Sequence, residues 1–412
     1  MTDPINLANQ KVGEALRNSC ADAPRKEWGD QYGFIGGRVH ADGTGEDLYL
    51  NSAGYDAFHE AIDRLLKVEE FARTVGRPAI VSKLADFLRR CNGKPPKEGL
   101  LRAFRREVVE PLRQEIYSWT CLIPLVNFLV KNRLVIGSVT FLSKEDARQE
   151  LALTAGDAQA GALLDELECV QDEDRVDAFA KTTINAHEMQ RLRYAEEIVL
   201  IAINMLRAFA PRLNPSRDAL LCGLRSEVPR CGTHSVISIQ SGIDVIDTRN
   251  EDDGSVLGNL IVSDKTVHQL REECQFEKLI AIASKPVASR TSFESAIFTS
   301  VQTLGQSMVA GSIGPAFSGC IAALECLAVP ASTMTQIKAT FATHLKCFFG
   351  DCRKAKEAYA LRSDFVHTGV AAIAVEDLSL ARRCAIDLIL LALSKVDAIK
   401  EHTDFLSRCL VH

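Results

Sequence analysis

Tyr359-Ala-Leu-Arg-Ser-Asp-Phe-Val-His-Thr-Gly369 decides the reading of this chain. It sets an arginine, a serine, an acid and a histidine within one short helical segment. The glycine at its end suits a helix stop. Apolar patterns with helical period flank it on both sides: Phe293–Met308, a segment from Pro315 with Phe317, Ile321, Leu324 and Leu327, and another with Ile337, Phe341, Leu345 and Phe348. Asp351 is placed to cap the segment that holds the quoted stretch. A last helix runs from Glu376 to about Lys400 and is apolar over more than half its circumference. Residues 286–412 therefore read as an all-α bundle.

Upstream the pattern is mixed. Two short runs on either side of Ala41-Asp-Gly-Thr-Gly45 read as a β-hairpin, and Gly33, Gly36 and Gly37 match no phosphate-loop spacing. Ala57–Val75, Ala79–Arg90 and Leu100–Tyr117 repeat apolar residues at helical spacing, with Pro111 inside the last. Trp119–Val130 and Arg133–Leu142 are rich in Val, Ile, Thr and Phe and read as strands, with Pro124 at an edge or bend. Ser143 and Asp146 form a capping box that opens a helix. Asp172–Arg212 reads as helix, with His187 on its surface, and residues 234–262 as strands. The expected fold class is α+β: an N-terminal mixed helical and β region over 1–285, of sensing or regulatory role, then the helical domain over 286–412. Lys285–Thr291 reads as the linker between them.

Composition narrows the class. The chain has 412 residues, 47% hydrophobic and 25% charged, as soluble globular proteins do. Its net charge of −6 argues against a generally basic nucleic-acid coat. From Arg290 onward there are 12 Lys and Arg against 11 Asp and Glu, and before it 36 against 43. The C-terminal part is the more tolerant of a polyanion. The 13 cysteines form no Cys-x-x-Cys pair and lie mostly on apolar faces, as reduced thiols do. With no membrane-length apolar run and no secretory leader pattern, the expected setting is the cytoplasm. His344, Cys347 and Cys352 lack a fourth ligand at zinc-finger spacing, and the acidic turn at 250–254 lacks EF-hand spacing. No metal or cofactor is expected.

The quoted stretch carries chemistry. An arginine fork binds phosphate bidentately, and a histidine moves protons near neutral pH. On a regular helix Arg362 and His367 stand five residues and about 140° apart. To converge on one phosphate they need the helix to end beside His367, or a second copy of the motif. Arg353, Lys354 and Lys356, nearer the helix start, extend a phosphate track. The plainer alternatives are an Arg362 ion pair to Asp364 or to another helix, and a His367 favoured at a helix C-terminus by the dipole.

Arg362-Ser-Asp-Phe-Val-His367, with Tyr359 before it and Gly369 after it, resembles the Arg-x4-6-His motif of HEPN domains, most nearly the Apea-like subgroup. It is the one such spacing in the chain, and Ala323-Leu-Glu325 is similar to a segment of that subgroup. The likeness covers about 290–405. It departs at Thr368, where the subgroup often has Gly, and at Ser363, where many active members have Asn, Asp or His. The resemblance implies a dimer that joins two motifs in one cleft. It also implies a metal-independent endoribonuclease with Arg362 and His367 catalytic and Tyr359, Ser363 and Asp364 supporting. RNA would be the partner, and the settings are antiviral defence, toxin systems and RNA processing, with an unidentified trigger at the N-terminal region. Members without catalysis serve as dimerisation or nucleotide-binding modules.

Overall fold

The computed structural model describes residues 3–20, 38–40, 47–68, 70–126, 128–155, 162, 178–213, 223–224, 233–240, 243–250, 260–310, 312–330, 335–369 and 371–410. The glycines at 33, 36 and 37, the turn at 41–46 and the acidic turn at 251–254 lie outside them. The fold is α+β, with a mixed helical and β N-terminal part and a helical C-terminal part. The chain divides into two compact units. The first takes Met1–Thr120, Thr183–Ala195 and Ser238–Asp244; the second takes Cys121–Thr182, Glu196–Ile237 and Val245–His412. Residues 286–412 lie within the second. No described helix is long and apolar enough to cross a membrane.

In the first unit, α1 (Pro4–Arg17) starts on an Asp3 side chain that accepts the Ile5 N–H at 3.0 Å. Ala8, Val12, Ala15 and Leu16 form its buried stripe. It packs on α2 (Ser52–Leu65), whose inner face carries Ala57, Phe58, Ala61 and Ile62. Three short strands, β1 (Ser19–Cys20), β2 (Arg38–His40) and β3 (Asp47–Leu50), pair in the order β1-β3-β2. The antiparallel β2–β3 register bears out the hairpin. A π turn at Phe71–Val75 leads into α3 (Gly76–Cys91), which ends at Asn92 in the left-handed region. The next helix is continuous in three parts: α4 (Leu100–Phe104), a π turn at Arg105–Val109, and α5 (Glu110–Gln114). Pro111 has no N–H for the Glu107 carbonyl, and the wide turn ahead of it makes room for its ring. The helix stops short of Tyr117, because strand β4 (Ile116–Val126) has begun.

β5 (Phe128–Val130), β6 (Leu134–Ile136) and β7 (Val139–Ser143) follow, and β6 and β7 form a tight hairpin over Gly137-Ser138. Ser143 and Asp146 exchange hydrogen bonds at the start of α6 (Lys144–Ala155), as the sequence indicates. The expected helix over Asp172–Arg212 is corrected in its first half. Ala178–His187 is strand β8, and the helix α7 begins only at Arg191 and runs to Leu213 through Pro211. Thr182, Thr183 and Ile184 are β-branched, and alternate side chains from Thr182 to Ala186 are buried, which is a strand's periodicity. His187 is accordingly not on a helix surface. It is buried at the end of β8, with Nε2 3.2 Å from Glu115 Oε2. Strands β9 (Gly223–Leu224), β10 (Thr233–Gln240) and β11 (Ile243–Asn250) complete a sheet of order β11-β10-β4-β8-β7-β6, with β9 beside β4 at Leu125 and Val126. Pro124 thus sits near the end of β4. β12 (Leu260–Val262) pairs in parallel with β5.

The second unit continues with α8 (Asp264–Glu272) and α9 (Phe276–Ser284). The supposed linker is folded. Arg290 donates to the carbonyls of Ile282 and Ala283 at 3.1 and 3.0 Å, and Lys285 meets Glu294 at 2.6 Å. Thr291 and Glu294 form a capping box that opens α10 (Ser292–Ser307). Then come α11 (Ile313–Ala328), α12 (Ile337–Phe349), α13 (Cys352–Thr368) and α14 (Val375–Lys395), with a short α15 (His402–Phe405) beyond. Ser332, the expected cap of the third of these helices, lies outside the described residues, and α12 starts after Gln336. α11 is central: it packs on α10, α13 and α14. α10 also lies on α7, where Gln302 donates to the Ile201 carbonyl at 3.1 Å.

Candidate functional site

The motif occupies the C-terminal half of α13. Asp351 accepts the Lys354 N–H at 2.8 Å at the helix start. Gly369 closes the helix at φ +72°, the left-handed conformation that favours glycine, with its N–H on the Phe365 carbonyl at 2.8 Å. Thr368 is still helical, so His367 keeps its helical direction. One copy therefore leaves Arg362 and His367 about 7.5 Å apart along the axis and about 140° around it. The exposures agree: Arg362 is half-buried and His367 exposed.

Arg362 points at α11. Its Nη1 lies 3.4 Å from Glu325 Oε2 and 3.5 Å from the Tyr359 hydroxyl, and the guanidinium sits 5.7 Å from the centre of the Tyr359 ring. Its Nε is buried without a hydrogen-bond partner. The Tyr359 ring also leans on Phe341 of α12, at 5.1 Å. Burial raises the Tyr359 hydroxyl above its ordinary value, with the Glu325 charge adding and Arg362 opposing. Of the other supporting residues, Ser363 is half-buried and Asp364 exposed. The Asp364 carbonyl accepts the Thr368 hydroxyl at 2.7 Å. The arginine's carboxylate partner is thus Glu325 of another helix. A lone acid on the apolar face Ala322-Ala-Leu-Glu-Cys326 is the signal that could have marked it, since a half-buried charge calls for a partner.

The approach of the two helices is close. A methyl group at Gly314, in the first turn of α11, would fall 2.4 Å from the Phe365 ring. Three of the exposed large apolar side chains belong to this end of the bundle: Ile313 at 38%, Val366 at 56% and Val375 at 48%.

Arg353, Lys354 and Lys356 are all exposed on the first two turns of α13. Arg353 and Lys356 line a shallow groove of about 440 Å³ with Lys338 of α12, which the sequence reading missed, and Lys354 is not among its lining. Arg353 is partly spent on Glu357, at 2.8 Å. By the helical rise, Arg353 and His367 are about 21 Å apart along the axis. The structure does not gather the basic cluster and the motif into one spot.

A larger cavity of about 820 Å³ has Glu325 in its lining, with Ser295, Thr299, Cys326, Glu401 and His402 among the others. Ser292 accepts the His402 backbone N–H at 3.0 Å and donates to Glu401 at 2.7 Å. His402 stacks on Phe293, and its Nε2 is 2.9 Å from the Leu327 carbonyl. Burial pushes the His402 ring below its ordinary value, against the pull of that carbonyl. Among the described residues no group of three or more His, Cys, Asp and Glu is set to share a metal ion. Comparison of the chain with protein-family models, curated proteins and solved structures found no match.

Proposed function

We propose that this chain is a metal-independent endoribonuclease of the HEPN type that works as a homodimer, with Arg362 and His367 as the catalytic pair. The observation that carries the reading is the end of α13. There a bare histidine and a braced arginine share one helix but face different ways, beside Ile313, Val366 and Val375. A second copy seated on that apolar rim supplies the missing half of each pair. His367 takes the 2′-OH proton as the 2′-oxygen attacks phosphorus, the P–O5′ bond breaks, and the departing 5′-oxygen takes a proton from water. Arg362 meets the charge that grows on the phosphoryl oxygens. The products are a 2′,3′-cyclic phosphate and a 5′-hydroxyl. Arg353, Lys356 and Lys338 attract the strand farther along.

The test is cleavage of generic RNA by the full chain in EDTA. Cyclic-phosphate ends are expected, with loss of activity in Arg362→Ala and in His367→Ala. Mixing those two inactive variants is expected to restore part of the activity, because a mixed dimer carries one complete composite site. Cleavage that needs Mg²⁺ and survives His367→Ala would defeat the proposal.

A second reading has its own observation. The Glu325 and Tyr359 contacts make Arg362 a tie between α11 and α13, as a non-catalytic dimerisation or nucleotide-binding module would have. That reading predicts no cleavage under any condition and a lowered melting temperature in Arg362→Ala.

A further inference from the structure

The cavity that Glu325 lines has a volume within the range of small-ligand sites. Ala296, Ala322, Val329 and Ile337 supply apolar walls. Its charged groups are two carboxylates, Glu325 and Glu401. Ionised carboxylates only accept hydrogen bonds, so an occupant must bring donors and otherwise be flat or apolar. Glu401 is held in place by Ser292, which the His402 N–H orients in turn. Glu325 belongs to both places: it is one of the residues that line the cavity, and its carboxylate lies 3.4 Å from Arg362.

We infer that this cavity seats a guanine base of the RNA substrate, next to the phosphate that Arg362 holds. The placement beside a phosphate rests on the reading proposed above. The choice of base rests on donor count. Guanine presents an imino N–H and an adjacent amino group on one edge, a match for the two oxygens of a carboxylate. Adenine and cytosine offer an amino group alone, and uracil one N–H. Single-stranded RNA is read in this way, on the pairing edges of unstacked bases. A residue that both pairs with Arg362 and lines the cavity puts phosphate and base within one nucleotide of each other.

Cys326 lines the cavity and gives a readout that does not depend on cleavage. The full chain is alkylated with N-ethylmaleimide, and labelling is read at Cys326 by peptide mass mapping, with the exposed Cys347 as internal reference. Guanosine 3′- or 5′-monophosphate is expected to slow labelling of Cys326 but not of Cys347. Inosine, adenosine, cytidine and uridine monophosphates should need at least tenfold higher concentration. Glu401→Gln and Ala296→Leu should each remove the protection, the latter by filling the cavity. RNA in which inosine replaces guanosine should be cleaved at least tenfold more slowly. Equal protection by all the nucleotides, protection by none, or protection by spermidine instead would overturn the inference. Cleavage that depends on Arg362 and His367 but ignores base identity would also overturn it and leave the ribonuclease standing. Guanosine-selective protection in a chain that never cleaves would do the reverse.

Discussion

Gly305→Ala tests how closely the helical domain sits on α7. Gly305 is buried on α10, and a Cβ built there lies 2.2 Å from the Asn204 carbonyl oxygen and 2.7 Å from its carbonyl and α carbons. An ordinary carbon–oxygen contact is about 3.3 Å or more. The two backbones must therefore part by about 1 Å, since no flexible side chain stands between them. A gap of that size forfeits roughly a quarter to a half of the dispersion energy of the atoms it separates. It also stretches the Gln302–Ile201 and Asn204–Gln302 hydrogen bonds, now 3.1 and 3.3 Å. Overpacking of this kind costs about 1–3 kcal/mol. The better helix propensity of alanine returns about 1 kcal/mol. Backbone meets backbone here, so the upper end of that range applies and the net loss should be about 2 kcal/mol, read as a lower denaturation midpoint with the slope unchanged. Gln306→Ala, one residue on and exposed, is the control and should be near neutral. A Gly305→Ala protein as stable as the parent, or more so, would refute the close α7–α10 contact.

Thr291→Ala removes one half of the capping box at the start of α10 and should cost about 1 kcal/mol in the same assay; no change would mean that Glu294 alone holds that helix end. His402 should make the fold sensitive to mild acid. Its ring sits below the ordinary 6.5 in the folded chain, so the unfolded chain takes up the proton first. Stability from this group is full above 6.5 and is lost as the pH falls from there towards the folded value. His402→Phe should flatten that slope in melts between pH 7 and 5, and an unaltered slope would clear His402 of it. Lys356→Ala should weaken single-stranded RNA binding without base preference and lower the salt dependence of log affinity by roughly 0.7; a change confined to some sequences would mean that Lys356 reads bases.

The helical domain was legible because its signals are local. Apolar residues recur at helical period, and Asp351 and Gly369 punctuate the ends of the helix that holds the motif. β8 was not, for a physical reason. Ala178-Phe-Ala-Lys-Thr-Thr-Ile-Asn-Ala-His187 mixes helix-forming alanines with β-branched residues, and pairing with β7 from Val139–Thr182 to Ser143–Ala178 decides the outcome. The stretch at 285–291 misled in the opposite sense. Its Pro, Ser and Lys look like a linker, but the cap at Thr291 and the reach of Arg290 back to α9 fold it. At the site, Arg362 and His367 were legible as a spacing. Glu325 was not legible as the partner, because which helix faces Arg362 depends on packing between segments nearly forty residues apart.

That partner bears on how the site would be switched. The Glu325 carboxylate lies against one end of the Arg362 guanidinium, and the Nε end is buried and unpartnered. A phosphate cannot take a two-pronged grip on Arg362 while the guanidinium keeps this pose, because one prong is closed off by burial and another faces a carboxylate. Turning it outward exposes Nε but breaks the Glu325 pair, and a half-buried carboxylate left alone is costly. If the cavity seats a base as inferred, its donors would offset that cost by taking over the vacated oxygens, and base and phosphate would favour each other's binding through one carboxylate. Glu325→Gln, neutral and weaker as a partner on both sides, should free Arg362 for phosphate while relaxing the choice of base. A variant that instead gained base selectivity would break this link between the cavity and the arginine.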